Sequence, residues 1–96
     1  MFDFDLKDDL KLKIKKLVRK DKKKAEIINR KIKEIINNDS ETIKRYKNLR
    51  HDLSDLKRVH IDGPFVSTFK VNLENNFILF YDFDHHDKIY RLKRTY

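Results

Sequence analysis

Four histidines occur in this chain, at positions 51, 60, 85 and 86. Histidine is the side chain whose ordinary titration falls near neutral pH, so it can give or take a proton without special help. Three of the four lie in the stretch Arg58 to Tyr90, R-V-H-I-D-G-P-F-V-S-T-F-K-V-N-L-E-N-N-F-I-L-F-Y-D-F-D-H-H-D-K-I-Y. That stretch reads as three consecutive antiparallel strands, with His60 where the first ends and His85-His86 where the last ends. Tyr90 follows His86 by four residues, and Lys57 and Arg58 precede His60.

Metal-independent RNA cleavage needs few parts. A base takes the 2′-hydroxyl proton, an acid protonates the departing 5′-oxygen, and cations stabilise the charged phosphorane. Two histidines beside Lys and Arg can supply all of these, and an aromatic such as Tyr90 can stack on a base or donate its hydroxyl. The nearness of His60 and His86 is here an inference from the meander.

Blander readings stand beside this one. A histidine at a strand end is most often a surface residue, and Lys57 and Arg58 equally describe a solvated strand face. His85-His86 with Asp84 and Asp87 has the composition of a metal site. Successive strand side chains diverge, however, and no third ligand stands at a useful spacing, so neither metal nor cofactor is expected. Phe80, Tyr81 and Phe83 read as core.

The elements that must hold these groups follow from periodicity. Met1 to Asp5 alternates Phe2 and Phe4 with Asp3 and Asp5, the pattern of an edge strand. Leu6, Leu10, Ile14, Leu17 and Val18 mark one face of a first helix, with Lys7, Lys11, Lys15, Arg19 and Lys22 on other faces. The run 21–24 breaks it, and Asp21 is a plausible N-cap. A second helix buries Ala25, Ile28, Ile32, Ile35 and Ile36 and ends at Asn37-Asn38-Asp39-Ser40. Ser40 could cap a helical turn over 41–46, and 47–55 reads as a connection with Leu49 and Leu53 tucked inward.

Leu56 to Ile61 is the second strand, with Arg58 and His60 on one face and Lys57, Val59 and Ile61 on the other. Asp62-Gly63-Pro64 turns the chain. Phe65 to Leu73 places Phe65, Ser67, Phe69, Val71 and Leu73 on one face, and Glu74-Asn75-Asn76 is the next turn. Phe77 to Phe83 is nearly all apolar, as a central strand covered on both faces should be. A turn over 84–87 then leads to 88–92 and a basic tail. The helical hairpin needs a partner for its apolar stripe, and a sheet with one apolar face supplies it. The expected fold is therefore α+β and two-layered, β-α-α-β-β-β, with a helical hairpin on a small, mainly antiparallel sheet.

Composition bounds the rest. A chain of 96 residues with one Gly and one Pro reads as one domain, 1–96, with no long linker. It has no cysteine, which excludes disulfides and thiolate metal sites. No apolar run is long enough for a membrane span, and the acidic start M-F-D-F-D-L-K-D-D is unlike a signal peptide, so a cytoplasmic protein is expected. The formal net charge of +8 makes a polyanion the default partner. Residues 1–37 carry 13 Lys/Arg against 7 Asp/Glu, and 38–96 carry 11 against 9, so the positive coat lies on the first half. Solvated helix surface explains such a coat equally well.

The order strand, helical hairpin, three-stranded meander in a small basic chain resembles the RelE/ParE superfamily of toxins from type II toxin–antitoxin pairs. The likeness is closest to its YafQ-like branch and to archaeal RelE relatives. R-V-H-I-D-G-P-F-V looks like that branch's strand–turn–strand with its histidine at His60. D-F-D-H-H-D-K-I-Y looks like its histidine and aromatic, at His86 and Tyr90. The resemblance covers roughly 46–91.

It implies an mRNA endoribonuclease acting in the ribosomal A site, with 16S-type rRNA contacts, leaving a 2′,3′-cyclic phosphate or its opened form. On that analogy His60 and His86 form the acid–base pair and Tyr90 contacts the mRNA. Asp62 orients a histidine, Arg58, Lys57 and Lys47 hold phosphates, and His51, His85 and Arg91 join them in binding substrate or phosphate. Lys47 matches a histidine of the YafQ branch if the intervening loop shifts, and His51 is the nearby substitute. The partners implied are mRNA and a small antitoxin with an acidic wrapping segment, the toxin itself being monomeric within the complex. The chain departs from the pattern where Phe65-Val66-Ser67 replace an arginine common early in that strand, and where Pro64 replaces an acidic residue. The loss of one such group can lower a rate ~10²–10⁴-fold, which points to an attenuated enzyme. Two alternatives share the fold: a ParE-like gyrase inhibitor, and an inactive module that binds nucleic acid or antitoxin.

Overall fold

The computed structural model describes residues 1–49 and 55–89. Its elements are β1 (Asp3–Leu6), α1 (Asp8–Lys20), α2 (Lys22–Ile36), a short 3₁₀ turn (Thr42–Arg45), β2 (Lys57–Asp62), β3 (Phe65–Asn72) and β4 (Phe77–His85). The sheet order is β1-β4-β3-β2, with β1 parallel to β4 and the other pairs antiparallel. This is the α+β arrangement expected, with the first strand beside the last.

The helical hairpin forms because each helix has one apolar face and a sharp break between them. Asp21 is that break: its backbone leaves the helical region, and its carboxylate accepts the Lys24 N–H at 3.1 Å. Ala25, Ile28, Ile32, Ile35 and Ile36 are all buried, as their spacing requires. The four isoleucines pack with Phe2 and Leu10 against Phe69, Ile78, Phe80 and Phe83 of the sheet. Sheet residues one step along the strands face away from the helices. There Leu49, Leu56 and Ile89 form a second cluster, with Tyr81 against it.

Several boundaries differ from the sequence reading. Leu6 ends β1 rather than opening the helix, since the Lys7 N–H still pairs with the Phe80 carbonyl at 2.9 Å. The helical turn after α2 is capped by Asp39, not Ser40: one Asp39 oxygen accepts the N–H groups of Glu41 and Thr42. Val18 and Leu73 are 48% and 47% exposed, because the helix face and the strand each end one position before them. Leu53 lies outside the described residues.

The largest difference is at the end of β4. The strand runs on to His85, which sits opposite Phe65, and the chain becomes helical at 86–89 instead of turning over 84–87. A bulge shifts the β3–β4 register between Thr68 and Phe69, so Tyr81 is the extra residue and Asp82 and Asp84 fall opposite Thr68 and Val66.

Ile35 is fully buried in the main cluster, whereas Leu12 on the outer face of α1 is 58% exposed. Ile35→Ala should lower unfolding stability by about 2–5 kcal/mol, and Leu12→Ala by no more than about 0.5 kcal/mol. Urea denaturation of the two variants measures both.

Candidate active site

β2 and β4 both run antiparallel to β3, so their C-terminal ends lie at the same end of the sheet. His60 stands opposite Val66, and Val66 opposite Asp84. Two strand spacings, roughly 10 Å, thus separate the His60 backbone from that of β4. His60 is exposed and shares the face of Val66, away from the helices, while Val59 and Ile61 pack into the main core. Among the described residues no hydrogen bond, ion pair or ring contact joins His60 to His85 or His86.

His85 and His86 differ in setting although they are adjacent. His85 ends the strand on the helix side, with its ring edge-on to Phe65 at 5.9 Å. Its Nδ1 accepts the Asp87 backbone N–H at 3.1 Å, so the ring closes the start of the following helical turn. The His86 backbone N–H donates to the Pro64 carbonyl at 2.8 Å, tying this turn to the β2–β3 connection, where Gly63 has a φ of +55°. His86 Nδ1 lies 2.9 Å from an Asp87 carboxylate oxygen, and the two imidazole centroids are 4.9 Å apart.

The Asp87 carboxylate lies beside Nδ1, and Nε2 of His86 meets no hydrogen-bond partner among the described residues. Asp87 is thus the acid beside His86, whereas the family analogy gave Asp62 the orienting of a histidine. Asp62 is exposed at the C-terminal end of β2, past a bulge and opposite Phe65, which in turn faces His85. Asp87 was visible in the sequence only as a flanking acid.

Successive side chains were expected to diverge here, and they do not. Strand residues alternate by half a turn and helical ones advance by about 100°, so the switch at His86 folds three neighbours toward one side. One ligating atom from each of His85, His86 and Asp87 falls within 4.8 Å of the others.

The remaining positions spread along β2. Arg58 shares the His60 face and is half-buried, opposite Thr68. Lys57 points the other way, and its ammonium donates to the Tyr46 carbonyl at 3.0 Å and the Asn48 side chain at 2.9 Å. Burial holds its pKa below the ordinary lysine value. It fastens residues 46–48 to the start of β2, beside the bridge between Asn48 and Lys57. Lys47 is exposed at that same end, remote along the strand from His60. His51, Tyr90 and Arg91 lie outside the described residues.

The chain is 44% identical over its full length to "Putative toxin RelE4" of Methanocaldococcus jannaschii, covering 98% of that protein. It is 43% identical over 90 residues to an uncharacterized protein of Methanosarcina mazei, covering all of it. No family model and no solved structure matches. The chain belongs to the RelE toxin family.

Two cations of this RelE-family chain escaped the sequence reading. Lys24, in the first turn of α2, sits 3.8 Å over the Phe65 ring, which also stacks on Phe83 and touches His85. Its position shows only once the helix begins at Lys22. Lys13 reaches from α1 to the end of β4, where it donates to Asp82 Oδ1 at 2.8 Å, the Phe83 carbonyl at 3.0 Å and Asp84 Oδ2 at 3.0 Å. β1 pairs with β4 only as far as Phe80, so 81–85 have no strand on that side. Lys13 closes that open edge with one charged group.

Burial pushes the Asp84 carboxyl up, but hydrogen bonds from Lys13 and the His85 N–H outweigh it and hold the pKa below the ordinary value. A carboxyl depressed in the fold stabilises it above the unfolded pKa, and that stability is lost as pH falls through the folded value. Lys13→Met should cost about 1–2 kcal/mol at neutral pH, given that the ammonium is partly exposed. The gap between wild type and variant should shrink below about pH 4 as Asp84 protonates. Denaturant midpoints at pH 7 and below pH 4 test this, and a gap independent of pH would refute it.

Proposed function

We propose that this protein is the toxin of a type II toxin–antitoxin pair, an endoribonuclease that cuts mRNA in the ribosomal A site. The supporting observation is that His60 and the His86–Asp87 pair lie at one end of the sheet in a chain 44% identical to "Putative toxin RelE4". The roughly 10 Å between the two backbones leaves room for the scissile phosphate between an acid and a base. His86, oriented by Asp87 through Nδ1, presents Nε2 to one of the two oxygens. His60 serves the other.

Catalysis of this kind needs no cofactor: the 2′-hydroxyl attacks the phosphate, the 5′-oxygen leaves protonated, and a 2′,3′-cyclic phosphate results. Arg58 on the His60 face, and Lys24 on the helix side, supply positive charge toward the bound chain. The phosphate contacts assigned to Lys47, His51 and Arg91, and the base contact of Tyr90, belong to this same reading. Lys57, already held by two neutral acceptors, contributes by fixing the strand. An exposed positive coat on α1 and α2, within a net charge of +8, steers the protein toward ribosomal RNA.

The partner that restrains it is an acidic antitoxin. β1 forms one end of the sheet, with its outer edge unpaired among the described residues, and Phe4 on it is 43% exposed. Beside it a groove of ≈ 350 Å³ is floored by Phe4, Leu6, Ile14 and Ile32 and rimmed by Lys11 and Lys33. An extended segment with alternating apolar and acidic residues fits both features. No helix among the described residues is long and apolar enough to cross a membrane, and the target places the activity in the cytoplasm.

His60→Ala and His86→Ala should each lower cleavage of ribosome-bound mRNA by ~10²–10⁴-fold, and Asp87→Asn by a smaller factor. Primer extension on programmed ribosomes reads the cuts. Full activity in both histidine variants would remove the imidazoles from the chemistry. Expression of the toxin alone should arrest growth, and co-expression of the acidic partner should restore it. Arrest with intact mRNA and blocked DNA supercoiling would replace this reading with gyrase inhibition.

A further inference from the structure

We infer that His85, His86 and Asp87 form a binding site for one divalent transition-metal ion of the Zn²⁺ type, and that the bound ion withdraws His86 from RNA cleavage. The metal site stands on geometry alone, whereas its effect on cleavage rests on the function proposed above. Two imidazoles and a carboxylate are the donors that Zn²⁺, Co²⁺ and Ni²⁺ accept, whereas Mg²⁺ and Ca²⁺ take oxygen sets.

One ligating atom from each side chain already lies within 4.8 Å of the others. Donor atoms on one such ion stand about 3–3.5 Å apart, given bonds of about 2.0–2.2 Å. His86 Nδ1 and Asp87 Oδ1 have nearly that spacing now, at 2.9 Å, and His85 Nδ1 is 3.7 Å from the other Asp87 oxygen. Closing the set thus takes movement of about 1–2 Å in side chains that remain 37%, 44% and 60% exposed, and a metal on His85 Nδ1 displaces the Asp87 backbone N–H from that atom.

The framework under them is ordered before any ion arrives. His85 is packed against Phe65, and the His86 backbone is bonded to Pro64. The strand leading in is clamped by Lys13 at Asp82, Phe83 and Asp84. Ligands whose backbone is already fixed lose less freedom on binding. Three protein donors leave one or more coordination positions for water, as open sites do. A cation on His86 Nδ1 takes the position beside Asp87 that a proton on that nitrogen would fill. The ring then cannot cycle between acid and base, and Asp87 no longer orients it.

The test uses tag-free full-length protein stripped with chelator. Calorimetric titration with Zn²⁺, and visible absorption with Co²⁺ as the coloured substitute, should show one ion per chain. His85→Ala, His86→Ala and Asp87→Ala should each weaken binding about tenfold or more, with far-UV circular dichroism unchanged. No saturable binding by the wild type, or wild-type affinity in both histidine variants, overturns the site. In the cleavage assay, Zn²⁺ at concentrations that fill the site should stop the wild type while Mg²⁺ does not. The Zn²⁺ concentration that halves the residual rate of His85→Ala should rise about tenfold or more, in step with its weakened binding. Binding without inhibition overturns the coupling to cleavage. A wild type that never cleaves RNA overturns the functional reading, and the titrations still decide the metal site.

Discussion

One ammonium group fixes the end of β4, and the arrangement of the candidate site depends on it. β1 supports β4 only to Phe80, yet the strand runs five residues further before the histidines are delivered. A strand edge left open in this way exposes backbone groups and is free to fray or to pair with another chain. Lys13 meets two carboxylates and a carbonyl there. The partners are ionised and partly shielded, so these bonds are stronger than neutral ones. The cost of taking Lys13 partly out of water is offset by the acids that surround it, and its pKa rises.

This clamp also explains a charge pattern that otherwise looks wasteful. A protein with a net charge of +8 nonetheless places Asp82, Asp84 and Asp87 within six residues beside its histidines. Two of the three meet Lys13 and one lies beside His86. Lys13 offsets one of these three negative charges, and the cations of α1 and α2 set the opposing field at longer range. Lys57 shows the converse, a cation taken out of service by burial and neutral acceptors.

The helical half was legible because a 3.6-residue period survives any error in its ends. All five predicted apolar positions of α2 are buried, and Asp21 caps it as its type suggests. The strands were legible by alternation, and the face that carries Arg58 and His60 was read from the same rule. Failures fall where local pattern is silent. A bulge leaves no mark in the string F-I-L-F-Y-D-F-D, so the true length of β4 and the role of Asp82 were hidden. Asp39 and Ser40 are both good caps, and only backbone direction separates them. Lys13 was one lysine among many on a basic helix, since a contact across 69 positions of sequence has no local signature.

The sheet itself constrains how a substrate can approach. His60 lies on the face away from the helices, His85 on the face toward them, and His86 on the turn where the strand has ended. No single face of the sheet presents all three rings. A polynucleotide lying flat on one face would meet His60 and Arg58 or His85 and Lys24, but not both sets. The end of the sheet, past the Gly63-Pro64 turn and the start of the last helical turn, is the surface from which His60 and His86 are both reachable. There β2 and β4 are both paired to β3, and the His86 N–H donates to Pro64 of the β2–β3 turn. A site so placed gains access to a strand threaded past it, and it depends on the clamp at Lys13 for its rigidity.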